Sequence, residues 1–117
     1  MVLTELVEIM RKNGVAGAGG AGFPSYAKLD KRADTIILNC AECEPLLKLH
    51  RQVLEYHARE IVFALETVKN VVFDRLYWNP LDAGAITDDE VKNQIRKRLP
   101  DSLQETACKM NMAIVAY

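Results

Sequence analysis

Gly17-Ala18-Gly19-Gly20-Ala21-Gly22-Phe23-Pro24 is followed, after a short polar stretch, by Asp34-Thr35-Ile36-Ile37-Leu38-Asn39-Cys40-Ala41-Glu42-Cys43-Glu44-Pro45. The second stretch decides the fold. Thr35 to Leu38 is a short, β-branched, apolar run with polar ends, the pattern of a strand buried on both faces. Its carboxyl end carries an amide, two thiols and two carboxylates, and ligands bind at that edge in open α/β sheets. The first stretch holds most of the glycine in the chain: five of six glycines lie between Gly14 and Gly22. Glycine is concentrated in this way where backbone turns sharply and comes close to a ligand.

Working outward, Leu3, Leu6, Val7 and Met10 have helical spacing. A first helix over 4–13 follows, with Thr4 as N-cap, Arg11 and Lys12 at its end and Gly14 at C′. Ser25 to Leu29 suits a short helical turn. After Pro45 the longest helix, 48–68, carries a stripe of Leu54, Ala58, Ile61, Leu65 and Val68, flanked by Val53 and Val62. Asn70 to Phe73 reads as a second strand, and 74–86, with Pro80 and Gly84, as an irregular connection. Thr87-Asp-Asp-Glu90 fits a capping box opening a third helix that ends at Arg96-Lys97-Arg98 before Pro100. Met112 to Tyr117 reads as a third strand.

The predicted fold is therefore α/β, a two- or three-layer domain with a short, mostly parallel sheet and a glycine-rich loop before the first strand. A chain of 117 residues, half of them hydrophobic, is expected to form a single domain over 1–117 with a real core. It stops inside or just after an apolar strand, the expectation for a truncated chain or a shortened member of a longer family. The net charge of −1 offers no electrostatic footprint for nucleic acid or an anionic membrane. No apolar run approaches a bilayer span, so no direct membrane insertion is expected. Glu5 and Glu8 interrupt any signal-peptide pattern. Three cysteines without export signals favour a reducing cytoplasm over a disulfide framework.

The chemistry-bearing residues each admit a plainer reading. Gly17-x-Gly19-x-x-Gly22 satisfies the dinucleotide fingerprint as a string, but that fingerprint follows a strand and here it follows a helix. Its backbone N–H groups can still cradle a phosphate or face a flat ring. The alternative is a linker, although Ala, Phe and Pro make it read as packed. Asn39 can donate to and accept from a heterocycle or ribityl chain, and Glu42 and Glu44 can accept from hydroxyls or orient a nicotinamide. The alternative is that Asn39 caps a turn and the glutamates are solvated. Cys40-x-x-Cys43 lacks the helix N-terminus of a redox pair and the second pair of a metal site, Cys108 being the only other thiol. His50 and His57 stand two helical turns apart, roughly 10 Å, too far to share one ion. Tyr77 and Trp78 suit a patch for packing or for contact between protomers.

Taken together at this spacing, residues 17–25, Lys28 and Ile37-Leu38-Asn39-Cys40-Ala41-Glu42-Cys43-Glu44-Pro45 resemble the N-terminal region of the RnfC family, the C component of the Rnf electron-transport complex. The same pattern occurs in the cobalamin reductase of propanediol-utilising microcompartments. More distantly it is similar to the NADH-oxidising flavoprotein of respiratory complex I. The resemblance covers roughly residues 1–70. It implies FMN and NADH as cofactors, with Gly17, Gly19, Gly20 and Gly22 giving backbone contacts and Phe23 walling the site. Lys28 would lie near the flavin or its phosphate, Asn39 would bond the flavin, and Glu42 and Glu44 would line the flavin and nicotinamide pocket. Arg51 falls where complex I-type sequences carry an arginine, while Ala41 replaces their aspartate and places the chain on the Rnf-like branch.

The implied reaction is hydride transfer from NADH to flavin with onward electron transfer to other subunits. The implied location is the cytoplasm, peripheral to a membrane complex or inside a bacterial microcompartment. Family members continue well beyond this length, with a second flavin-contacting segment, a ubiquitin-like region and iron–sulfur motifs absent from this sequence. A non-catalytic assembly or docking module, oligomeric with itself or bound to a partner, is the alternative. A small thiol redox protein using Cys40 and Cys43 is a third.

Overall fold

The computed structural model describes residues 1–17, 22–40, 46–78, 87–94 and 114–115. In chain order the elements are helix α1 (Leu3–Lys12), a 3-10 turn (Ser25–Lys28), strand β1 (Thr35–Leu38), helix α2 (Leu49–Val72), strand β2 (Arg75–Trp78), helix α3 (Asp89–Gln94) and strand β3 (Ile114–Val115). The sheet order is β2-β1-β3. β1 and β2 are parallel, with Ile36 opposite Leu76 and Leu38 opposite Trp78. β3 joins the other side of β1 antiparallel, with Ile36 opposite Ile114. Parallel neighbours need a crossover connection, and α2 supplies it. This is the α/β architecture that the sequence predicts.

Every residue of β1 is buried, as a strand covered on both faces requires. Ile36, Leu38 and Cys40 alternate onto one face with Leu76 and Trp78, and pack with Leu54 and Val62 of α2 and Val91 of α3. Ile37 and Tyr77 are buried on the other face.

Three local details differ from the sequence reading. The second strand is not at 70–73. Val68 and Val72 continue the core-facing stripe of α2, so the helix runs on to Val72 and uses that apolar pair. Phe73 then turns extended, and the strand forms from the next apolar run, Leu76-Tyr77-Trp78, within the supposed irregular connection. Of the two uses expected for those aromatics, packing is the one seen: Tyr77 and Trp78 are strand residues buried in the interior. At α1 the cap is Val2 rather than Thr4, because the Glu5 carboxylate accepts the Val2 N–H at 3.0 Å. At α3 the cap is Asp88 rather than Thr87: Asp88 Oδ1 accepts the N–H groups of Glu90 at 3.0 Å and Val91 at 3.3 Å. The rest of the expected third helix, with Arg96-Lys97-Arg98, lies outside the described residues.

Helix α2 breaks at His57, whose φ of −129° and ψ of 27° leave the helical region. Val53 faces outward while Val62 is fully buried. Arg59, two residues past the break, reaches Asp88 at 2.6 Å and Glu90 at 3.5 Å, tying α2 to α3. Among the described residues no helix is long and apolar enough to cross a membrane.

The amino ends of β1 and β2 are joined through Asp34. Its carbonyl accepts the N–H groups of Asp74 at 2.8 Å and Arg75 at 3.1 Å. Its carboxylate accepts the Thr35 hydroxyl at 2.6 Å and pairs with the Arg75 guanidinium. The Thr35 hydroxyl, then Arg75, hold the Asp34 carboxyl below its ordinary value. A carboxyl lowered on folding stabilises the fold above its unfolded pKa of about 4, and that contribution is lost as pH falls through the folded value. The Tm gap between wild type and Asp34→Asn is therefore expected to be open at pH 7 and to close as pH falls below about 4. Thermal melts across that range check it, and a gap independent of pH would contradict it.

Candidate functional site

The glycine loop is pinched shut at its base. α1 is followed, past its C-cap Asn13, by Gly14, left-handed at φ +63°, with Gly14 N–H donating to Arg11 O at 3.2 Å. The chain then pairs with its own return strand. Ala16 and Pro24 form an antiparallel bridge, Gly17 N–H donates to Phe23 O at 3.0 Å, and Ser25 N–H donates to Val15 O at 3.1 Å. Gly22 closes the loop at φ +67°, a conformation that costs a residue with a Cβ and costs glycine nothing. At Gly17 a Cβ would meet only Phe23 O at 3.9 Å, an ordinary contact. No described neighbour therefore requires glycine at 17, and what its absent side chain leaves open is backbone.

Phe23, half-exposed, presents its ring at the foot of this loop. Lys28, on the 3-10 turn, places Nζ 5.8 Å from the ring centroid, within cation–π range. The turn thus delivers a flat apolar surface and a positive charge side by side. Just beyond it, Arg32 bonds Asp30 at 2.5 Å and holds that carboxyl down to about 2, so the pair is fully ionised and self-neutralised at neutral pH.

Asn39 stands on a separate element. It follows β1 directly, at the carboxyl edge of the parallel pair, and is 1% exposed. Arg51 sits exposed in the first turn of α2. The structure thus brings Gly17, Gly22, Phe23 and Lys28 together around one loop base and sets Asn39 at the strand end. Gly19, Gly20, Glu42 and Glu44 lie outside the described residues, as does Cys43. Cys40 is buried in the core cluster. Among the described residues no group of three or more His, Cys, Asp or Glu side chains could hold a metal ion.

One feature of this edge is not foreshadowed by the sequence. Trp78 ends β2 opposite Leu38, and its Nε1 is buried with no hydrogen-bond partner among the described residues. A tryptophan in an apolar run signals burial, and only the fold shows that this residue is the last of β2, in register with Leu38. A groove between α2 and α3, lined by Arg59, Phe63, Glu66 and Val91, shares no residue with the loop, and its Arg59 is already paired.

A half-exposed ring beside a cation fits a flat aromatic system carrying a phosphate. A buried amide with both donors and acceptors fits the polar edge of such a ring, and an unmet indole donor fits an acceptor on it.

The sequence matches known proteins over the same segment. The family model described as the Nuo51 FMN-binding domain matches residues 10–76, more than half of the chain. The chain belongs to the Nuo51 FMN-binding domain family. The matched part of this FMN-binding domain runs from the last turn of α1 through the loop, β1 and α2 into β2. The domain is 47% identical over 55 residues to cobalamin reductase PduS of Citrobacter freundii, covering 47% of this chain and 12% of that protein. It is 36% identical over 74 residues to the C component of the ion-translocating oxidoreductase complex of Vibrio cholerae (strain ATCC 39315), covering 61% of this chain and 10% of that one. The same component of Edwardsiella ictaluri is 40% identical over 70 residues, 57% of this chain and 9% of its own. The chain thus spans about a tenth of the length of the relatives it matches. No solved structure matches it.

Proposed function

We propose that this domain binds FMN between the glycine loop and the carboxyl end of β1, and serves an electron-transfer flavoprotein in which NADH is the hydride donor. The observation that carries this reading is the joint presence of the pinched glycine loop and Asn39 at the strand edge, inside a segment matched by an FMN-binding family. When bound, FMN would supply the redox chemistry, coupling the two-electron oxidation of NADH to one-electron transfer onward.

The protein's own part is to bind, orient and exclude water. Gly17, Gly19, Gly20 and Gly22 would bring backbone to the ligand without side-chain obstruction; the Gly17 N–H is committed to Phe23 O, so the loop's free donors would come from the other glycines. Lys28 balances the phosphate charge, and Phe23 shields one side of the ring. Asn39 fixes the ring's polar edge, and Glu42 and Glu44 orient the ribityl hydroxyls and the incoming nicotinamide. The names of relatives that are subunits of an ion-translocating oxidoreductase complex support other electron-transfer subunits as partners; a place beside a membrane complex or within a microcompartment rests on the family resemblance alone. The test is titration of the purified chain with FMN, followed by flavin fluorescence. Saturable quenching is expected, and its absence overturns the reading.

One observation favours a second reading, in which the domain is a docking module with an incomplete flavin site. Tyr56 and Phe63 of α2 are 75% and 76% exposed, apolar surface that a partner could cover. Failure to bind FMN together with self-association in solution would favour it.

A further inference from the structure

We infer that Trp78 is a positioning residue of the flavin site, its indole N–H donating to a ring carbonyl of bound FMN. The inference rests on the flavin reading proposed above and adds to it a residue from a second strand.

Trp78 is 5% exposed, so its side chain is inside the domain. Its Nε1 is buried and meets no acceptor among the described residues. Buried indole N–H groups ordinarily find a partner, because the atom can only donate and gains nothing from apolar neighbours. A position with a purely packing role is filled by Phe or Leu without leaving a donor unmet. The orphan donor is therefore the feature to be explained.

Its place in the fold suggests the explanation. Trp78 is the last residue of β2 and pairs in register with Leu38, the residue before Asn39. Trp78 and Asn39 thus stand at the ends of adjacent parallel strands, at the carboxyl edge where α/β sheets receive ligands. By strand alternation Trp78 belongs to the face packed by α2 and α3, with Leu38 and Cys40, and Asn39 to the opposite face. A flat ring lying across the edge meets one donor from each face. An isoalloxazine carries carbonyl oxygens that accept such bonds, and an indole discriminates for them because it cannot accept in return.

Trp78 is the only tryptophan in the chain, so its signal is unambiguous. The experiment is a titration of the uniformly 15N-labelled chain with FMN, reading the single indole 15N–1H resonance and, in the same samples, flavin fluorescence. The expected result is a downfield movement of the indole proton that saturates with the fluorescence change, with exchange against solvent slowed on binding. Trp78→Phe, if it keeps a cooperative urea transition, is expected to bind FMN roughly 3- to 10-fold more weakly, the worth of one ordinary hydrogen bond. The wild-type resonance decides the matter even if that variant does not fold. Saturable FMN binding with an unmoved indole resonance overturns the inference and leaves the flavin reading standing. An upfield shift without slowed exchange puts the indole near the ring but not bonded to it, and also overturns it. Absence of FMN binding ends both.

Discussion

Leu54→Ala is expected to lower the free energy of unfolding by about 2–5 kcal/mol, the range for a leucine truncated in a core that cannot collapse around the gap. Leu54 is 0% exposed and packs in the cluster formed by Ile36, Leu38, Leu76, Trp78 and Val91. Its position along α2 makes the loss more severe than burial suggests. The helix breaks at His57, so the segment 49–56 does not borrow rigidity from the longer half. Within that segment Leu49, Val53 and Tyr56 are all exposed, and Leu54 is the one side chain buried in the core. Beyond the break, Val62 shares its anchoring with Ile61, Leu65, Val68 and Val72, so Val62→Ala should cost less. Domains of this size have about 5–15 kcal/mol in total, and Leu54→Ala therefore removes a large share of it. Urea unfolding with an unchanged m-value checks the figure, and a loss below about 1 kcal/mol would show that the site collapses instead.

The contrast between Leu54 and Val53 marks how far the sequence can be read. The helical stripe through Leu54, Ala58, Ile61, Leu65 and Val68 is visible because periodicity depends only on spacing. The break at His57 is not, because neither proline nor glycine announces it there. β1 is legible because a β-branched run with polar ends has few other uses. β2 is not: Val71-Val72 and Leu76-Tyr77-Trp78 are competing apolar runs close together in the chain. The choice between them is made by tertiary packing, since Val72 lies on the core stripe of α2 and Arg75 meets Asp34. The caps fall one or two positions from those expected for a related reason. Thr4, Thr87 and Asp88 are all competent oxygen acceptors, and the register of the helix against the core selects among them.

The site is legible in a different way. Gly14 and Gly22 hold the left-handed backbone their type suggests, and the loop between them is identifiable by composition. That Phe23 and Lys28 stand together follows from a five-residue spacing across the 3-10 turn, which composition does not reveal. Trp78 belongs to no motif at all. Its relevance comes from strand register, which sets it beside the residue preceding Asn39.

Asn39→Ala is expected to weaken FMN binding by roughly 5- to 150-fold, the consequence of leaving a buried ligand group without its partner at about 1–3 kcal/mol. Asn39 is 1% exposed, and a buried amide is retained only where its donors and acceptors are used. Two uses compete: holding the turn after β1, or holding the ligand. Affinity and stability separate them. If the amide serves the turn, Asn39→Ala lowers the urea midpoint while FMN affinity among the folded molecules stays near wild type. If it serves the flavin, affinity falls by much more than stability. Asn39→Asp sharpens the distinction, because it keeps the acceptor oxygens, removes both N–H donors and adds a negative charge. A turn that needs only an acceptor tolerates that change. A flavin carbonyl that needs a donor does not, and the added charge opposes the electron-rich ring edge. Asn39→Asp should then bind FMN no better than Asn39→Ala, whereas recovery of affinity in the aspartate variant would rule out donation from Asn39 to the flavin.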